Sequence, residues 1–171
     1  MKLMACLLLA TYPEANSPNI ATSAVALAKQ VDATLNAVVV NVDIPDASNA
    51  LSNFLLDLPS KIREVEATIR KCGRGLLEAV AKEAAKCGMS LTTQESAAAP
   101  AAMADIAVMQ ARYSDLCLVG WARDNQTART AAEAILFGSG RPVIMLPDDM
   151  DVGALGHVVV AWDGSRIAAR A

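Results

Sequence analysis

The segment from residue 116 to residue 147 most constrains how this chain can fold. It begins with the apolar run 116–119, which stops at a glycine, and ends with the apolar run 143–146, which stops at a proline. Residues 127–137 between them are rich in Ala, Glu, Ile and Leu, a composition typical of a helix. Both runs are apolar throughout instead of alternating, as in strands of a parallel sheet that has helices on both faces. The segment therefore predicts a strand–helix–strand unit.

The chain before this unit repeats the same order of strands and helices. Its other predicted strands are residues 4–10, 35–42 and 89–94, and its other predicted helices are residues 20–31, 60–87 and 100–112. Ser17 with Pro18 is predicted to start the first of these helices and Ser60 the second, which Gly88 ends. Residues 51–58 are predicted to add one or two helical turns over the sheet edge. The whole pattern predicts an α/β fold, an open parallel five-stranded sheet with helices on both faces and right-handed crossovers.

The end of the chain predicts an extra strand and the start of a helix. An acidic linker at 148–156 is followed by the apolar run 157–162, the turn residues 163–165 and a helical start at 166–171. This order matches the opening of the chain, so residues 157–171 are interpreted as the start of a second, truncated repeat after a first domain at 1–147. A lone strand and helix cannot form a domain, so we expect either that the native protein continues after this segment or that the tail docks on the first domain or on another copy.

Composition excludes several classes of function. At 54% apolar and 19% charged residues, the 171-residue chain can bury a sizeable core. Its net charge of -3, without a dense Lys/Arg cluster, predicts no nucleic-acid partner. The first apolar run, residues 3–10, is too short to span a membrane and precedes no cleavage signal, so we expect no membrane partner and a cytoplasmic protein. The four cysteines have neither CxxC nor His-paired spacing, which predicts free thiols and no metal site.

Candidate binding residues are those at the carboxyl ends of the predicted strands, where open parallel sheets bind ligands. They are Thr11, the turn around Val42 and the loop that begins at Gly120. In that loop Arg123 either supplies charge to a ligand or is a solvated surface side chain. The glycines at 138–140 follow a helix and precede a strand, so they are predicted to end the helix at the opposite edge of the sheet.

Catalytic groups do not form a recognisable set. His157 is the only histidine and has no evident Asp or Cys partner. The chain has no Ser–His–Asp set and no GxxxxGK loop, so we predict that it is not an enzyme. The most distinctive polar cluster is Asp163 with Gly164 and Ser165. It is either a turn and helix cap, or Asp163 is a hydrogen-bonding group for a ribose or an adenine.

Several segments along the chain resemble the universal stress protein family. Residues 115–120, 132–136 and 141–147 are similar to the C-terminal half of its domain, and 159–165 with 168–171 resemble the start of a second domain, as in tandem members. The resemblance implies a parallel sheet of order 3-2-1-4-5, dimers formed through the last strand and a stress-response role.

Some members of that family bind ATP, through an Asp after the first strand and a G-x-x-G-x9-G-(S/T) motif after the fourth. Here Gly120 fits the first glycine, but Arg123 stands in place of the second and Arg129–Thr130 in place of the final pair. Thr11 stands in place of the Asp, while Asp163 fits the Asp of a second domain. The resemblance therefore implies that the first domain belongs with the family members that lack the ATP-binding motif.

The main expectation is a non-catalytic module that acts in stress response through dimerisation and through protein or small-ligand binding, with no cofactor. The alternative is an adenine-nucleotide (ATP) binder or slow hydrolase whose site draws on Thr11, Val42, Gly120, Arg123, Thr130 and Asp163. A third hypothesis is an assembly module in which the tail strand adds to the sheet edge of a neighbour.

Overall fold

The computed structural model describes residues 2–45, 57–122, 125–147, 152–166 and 168, apart from the side chain of Thr127. These residues form strands β1 Leu3–Leu9, β2 Ala33–Val42, β3 Leu91–Ala98, β4 Leu116–Trp121 and β5 Val143–Pro147. They also form helices α1 Ile20–Gln30, α2 Leu58–Lys86, α3 Met103–Arg112, which a 3-10 turn at Pro100–Ala102 precedes, and α4 Gln126–Gly138. Among the described helices, none combines the length and the hydropathy that a membrane span requires.

The sheet has the order β3-β2-β1-β4-β5 and every neighbouring pair of strands is parallel. The predicted fold class and strand order are therefore confirmed. The chain leaves β1 toward β2 on one side and reaches β4 on the other side of β1. The connections thus diverge between the carboxyl ends of β1 and β4, which is where open sheets of this kind form a crevice.

Strand side chains alternate between two apolar cores, one on each face of the sheet. The first core joins α1 and α2 to Ala5, Leu7 and Leu9 of β1. The second core joins α3 and α4 to Cys6 and Leu8 of the same strand. Because helices cover both faces, residues 5–9 of β1 and 117–120 of β4 are buried at every position, as the sequence predicts for apolar strands of a parallel sheet.

Two helix starts differ from the prediction. Helix α1 begins at Ile20, as its predicted range has it, but Ser17 and Pro18 do not start it. They lie in a preceding turn, in which the Ser17 carbonyl accepts a hydrogen bond from the Ile20 N–H (3.1 Å). Helix α2 begins at Leu58 and not at Ser60, so Pro59 lies in its first turn. A proline is tolerated there because the N–H it lacks would have no partner within the helix.

The predicted glycine positions at helix ends are confirmed. Gly88 follows the end of α2 with φ +64, and the Met89 N–H returns to the Ala84 carbonyl at 3.0 Å. Gly138 is the last residue of α4, and Gly140 has φ +68 in the turn before β5. This turn lies at the amino edge of the sheet, away from the carboxyl ends of the strands.

The predicted strand at 157–162 is wrong for the chain by itself. Residues 152–165 form no helix or strand, and Val158, Val159 and Val160 are 82%, 94% and 72% exposed. A strand exists only when its backbone pairs with another, and this segment pairs with no described strand. The Ser165 hydroxyl accepts a hydrogen bond from the Ala168 N–H (3.0 Å), as the predicted helix cap would.

Part of the predicted linker contacts the first domain. The Gln30 side chain at the end of α1 donates to the Gly153 carbonyl and accepts from the Leu155 N–H, both at 3.0 Å. Val152 packs against the first core. The predicted helical turns at 51–58 fall outside the described residues up to position 56, as do linker residues 148–151.

Candidate functional site

A cavity of about 230 Å³ opens at the carboxyl ends of β1 and β4. We call it the switch-point cavity. From the sheet it is lined by Leu8, Val40 and Val119, and from the loop after β1 by Tyr12 and Pro13. It lies on the side of the second core, over the point where the connections diverge.

The helices that close the cavity present short side chains to it. Ala104 and Ala107 line it from α3, and Ala128 and Ala131 line it from α4, with Ile135 one turn further along. Residues three or four apart share one face of a helix, so each helix turns a row of alanines toward the other. An alanine leaves open the volume that a leucine would fill, which accounts for the empty space in an otherwise packed core.

Asn16, which is not among the predicted binding residues, organises the loop that follows β1. Its carboxamide oxygen accepts a hydrogen bond from the Ala10 N–H at 2.6 Å, and its backbone N–H donates to the Ala10 carbonyl at 3.0 Å. The pair folds residues 11–15 back over the end of β1. Asn16 is buried and lines the cavity. The only sequence signal was an asparagine in a polar loop at the end of the first strand.

Gly120 is confined by this loop. A Cβ at Gly120 would collide with the Asn16 side chain and would lie 2.8 Å from Cδ1 of Ile20. The position therefore requires glycine for close packing between β4 and the loop after β1. Gly120 lies in the cavity lining together with Asn16, the side chain that leaves no room for a Cβ at position 120.

Two predicted residues lie beside the cavity lining and not in it. Thr11 is buried, and its hydroxyl donates to the Val40 carbonyl at 3.5 Å. Val42 ends β2, pairs with Ala98 of β3 and is fully buried. Because both side chains are buried against neighbouring strands, they leave little surface for a ligand.

The other predicted residues are distributed over the molecule. Thr130 lines the cavity from α4, where its hydroxyl donates to the Gln126 carbonyl at 2.9 Å. Arg123 lies outside the described residues. Asp163 is exposed in the tail and does not line the cavity; its carboxylate accepts a hydrogen bond from the Ser165 N–H at 2.8 Å, which lowers the pKa of that carboxyl.

No Lys, Arg, Asp, Glu or His among the described residues lines the cavity. Most of its wall is hydrocarbon, and its polar groups are backbone atoms, amides and hydroxyls. Desolvating an ionised group without a partner is costly, so these walls favour neutral ligands. Over the same described part of the chain, His, Cys, Asp and Glu form no group of three or more that could hold a metal ion.

Comparison with known proteins relates this geometry to a fold family. No family model matches the chain, and no curated protein matches it. Solved structures do match: a universal stress protein family member from Burkholderia pseudomallei has 20% identity and a TM-score of 0.50 over 83% of this chain and 95% of that chain. Universal stress protein UspA from Lactobacillus plantarum has 18% identity and a TM-score of 0.55 over 85% of this chain and 99% of that chain. The chain therefore has the universal stress protein fold.

Proposed function

We propose that this chain is a member of the universal stress protein family that acts in stress response as a non-catalytic module, through dimerisation and through binding of a protein or small ligand. The observation that carries the proposal is the shared fold together with an uncharged cavity at its switch point. Fold by itself does not determine function. The site supports binding because its walls offer burial and hydrogen bonds.

A survival assay tests the stress role. Source cells lacking this gene are compared with wild-type cells after starvation and after oxidant treatment. We expect the mutant to lose viability faster, and expression of the chain to restore it. Equal survival of mutant and wild-type cells under every stress would contradict the proposal.

The exposed edge of β5 supports dimerisation. Among the described strands β5 pairs only with β4, so its other edge offers backbone groups to a second copy. Met145 in the middle of β5 is 49% exposed, and Phe137 near the end of the preceding helix is 83% exposed. An apolar edge of this kind favours pairing between two identical strands.

Native mass spectrometry tests the dimer. We expect the wild-type protein to have the mass of two chains and Met145→Lys to have the mass of one, because a charge on β5 opposes burial of its edge. Met109→Lys is the matched control, since Met109 is a similarly exposed methionine on α3. A monomeric wild-type protein at every concentration would contradict dimerisation, and equal loss of the dimer in both variants would place the interface elsewhere.

A phosphate-release assay tests the absence of catalysis. We expect no turnover of ATP with magnesium by the purified chain, because no charged side chain of the described residues lines the cavity. Measurable turnover would contradict the non-catalytic part of the proposal.

The position of the cavity favours a second candidate, an adenine-nucleotide binder. Doubly wound folds bind nucleotides at the crevice where this cavity lies. A rise in melting temperature with millimolar ATP and magnesium, lost in Ala131→Leu, which fills the cavity, would support it. An unchanged melting temperature would count against it.

A further inference from the structure

We propose that the switch-point cavity binds a neutral, mainly apolar small molecule that carries one hydrogen-bond acceptor, and not a nucleotide. This inference rests on the small-ligand binding in the proposed function and specifies its chemistry. It follows from the volume of the cavity, the composition of its walls and one unused hydrogen-bond donor.

The volume of the cavity sets the size of the ligand. An engineered apolar cavity of about 150 Å³ binds benzene. The switch-point cavity, at about 230 Å³, is larger by more than half. By that measure it accommodates a molecule of about nine to ten non-hydrogen atoms, a single ring with a short substituent or two fused rings. A nucleoside triphosphate is several times larger and would have to leave most of its atoms outside.

The walls of the cavity set the polarity of the ligand. Leu8, Val119 and Ile135 line it with branched aliphatic groups, and the alanines of α3 and α4 add methyl groups. Tyr12 contributes an aromatic ring and Met103 a thioether, and both side chains make favourable contacts with aromatic rings. Since no charged side chain of the described residues lines the cavity, a phosphate would lose its hydration without gaining a partner.

Asn16 supplies the hydrogen-bond donor. Its carboxamide oxygen is used by the Ala10 N–H. Its NH2 group carries two donors, and no acceptor among the described residues takes either of them. Asn16 lines the cavity while it is only 7% exposed. A ligand carbonyl or ether oxygen in the cavity can accept from this group.

Two probes of matched shape test the proposal. Acetophenone has a ring, a methyl group and a carbonyl acceptor, whereas 2-phenylpropene replaces the carbonyl oxygen with a methylene. Binding is followed by ligand-observed and protein-observed NMR on the full chain. We expect acetophenone to bind with a dissociation constant on the order of 100 µM. We expect 2-phenylpropene to bind about two- to tenfold more weakly, because it cannot accept a hydrogen bond.

Variants that fill the cavity establish where the probes bind. Ala131→Leu on α4 puts a larger side chain into the cavity and should weaken both probes at least tenfold. Ala107→Leu fills it from α3 and serves if the first variant does not fold. Ala81→Leu is the matched control, an exposed alanine on α2 against the opposite face of the sheet, and should leave binding unchanged.

Asn16→Asp tests the donor, since aspartate keeps an acceptor for the Ala10 N–H and removes the NH2 group. The preference for acetophenone over 2-phenylpropene should then disappear. A preference retained in Asn16→Asp would overturn the role of Asn16.

Absence of binding by both probes at millimolar concentration would overturn the cavity proposal, and so would unchanged affinity in both cavity-filling variants. ATP that displaces acetophenone and binds more tightly would overturn the exclusion of nucleotides. None of these outcomes changes the dimer mass or the survival phenotype. Conversely, a monomeric chain without a phenotype that still binds acetophenone would contradict the proposed function alone.

Discussion

Single residues decide how closely the elements of this chain approach each other, and two glycines of α2 illustrate it. By helix propensity alone, Gly73 and Gly75 are equally unfavourable within α2. In the structure a Cβ at Gly73 would lie 2.8 Å from Cγ1 of Val39 and 3.0 Å from the Asn41 side-chain oxygen, whereas a Cβ at Gly75 would meet nothing within 4 Å. The first glycine lets α2 contact β2 closely, and the second faces solvent.

The first prediction concerns this pair. Gly73→Ala should destabilise the protein by about 1–3 kcal/mol, because it overpacks the contact between α2 and β2. Gly75→Ala should stabilise it by about 1 kcal/mol, since alanine favours an exposed helical position. Urea unfolding of the two variants measures both effects. Effects of the same sign would contradict the close approach at Gly73.

Two buried thiols carry the second prediction. Cys6 and Cys117 face each other on β1 and β4, and burial raises their pKa values from 9.0 to about 12 and about 11. Because the folded-state pKa values lie above 9.0, the stability they support is complete below pH 9.0 and is lost as the pH rises toward 11 and 12.

Urea unfolding across that pH range tests the thiols. The free energy of unfolding should fall with pH in the wild-type protein and fall less steeply in Cys6→Ala. Cys72→Ala, which changes a half-buried cysteine, should keep the wild-type slope. Equal slopes in all the proteins would show that the buried thiols do not couple folding to pH.

At the scale of elements, helix α4 closes the cavity, and Asn125 holds its first turn. The Asn125 side-chain oxygen accepts a hydrogen bond from the Ala128 N–H at 2.8 Å. The third prediction is that Asn125→Ala lowers the free energy of unfolding by about 1 kcal/mol, because that N–H loses its partner. Gln126→Ala, at the exposed next position, is the control and should have little effect. Thermal unfolding measures both, and equal losses would contradict a capping role.

At the scale of the whole molecule, the sheet is complete without the tail. The described tail contacts the first domain around Val152, Gly153 and Leu155, while residues 158–160 are exposed. The fourth prediction is that a chain ending at Pro147 keeps its fold, with a melting temperature lowered by no more than about 4 °C. A chain ending at Pro142 lacks β5 and the buried Leu146, and it should unfold.

The same truncation separates two forms of assembly. If dimers form through β5, native mass spectrometry of the chain ending at Pro147 should still show the mass of two chains. If the tail strand adds to the sheet of a neighbour, the dimer should disappear. Unfolding of this truncated chain would contradict the independence of the first domain.

The sequence by itself determined the five strands of the sheet, the helices between them and their arrangement around a parallel sheet. Those features follow from apolar runs, helical spacing and turn residues, which act between neighbours along the chain, and the strand order followed from the resemblance that the same runs carry. Only the tertiary structure decided that Asn16 fills the space beside Gly120, that alanines of α3 and α4 leave a cavity, and that residues 157–162 remain unpaired. These features depend on contacts between residues distant in the sequence, where the shape of the packed elements and not local composition sets which atoms meet.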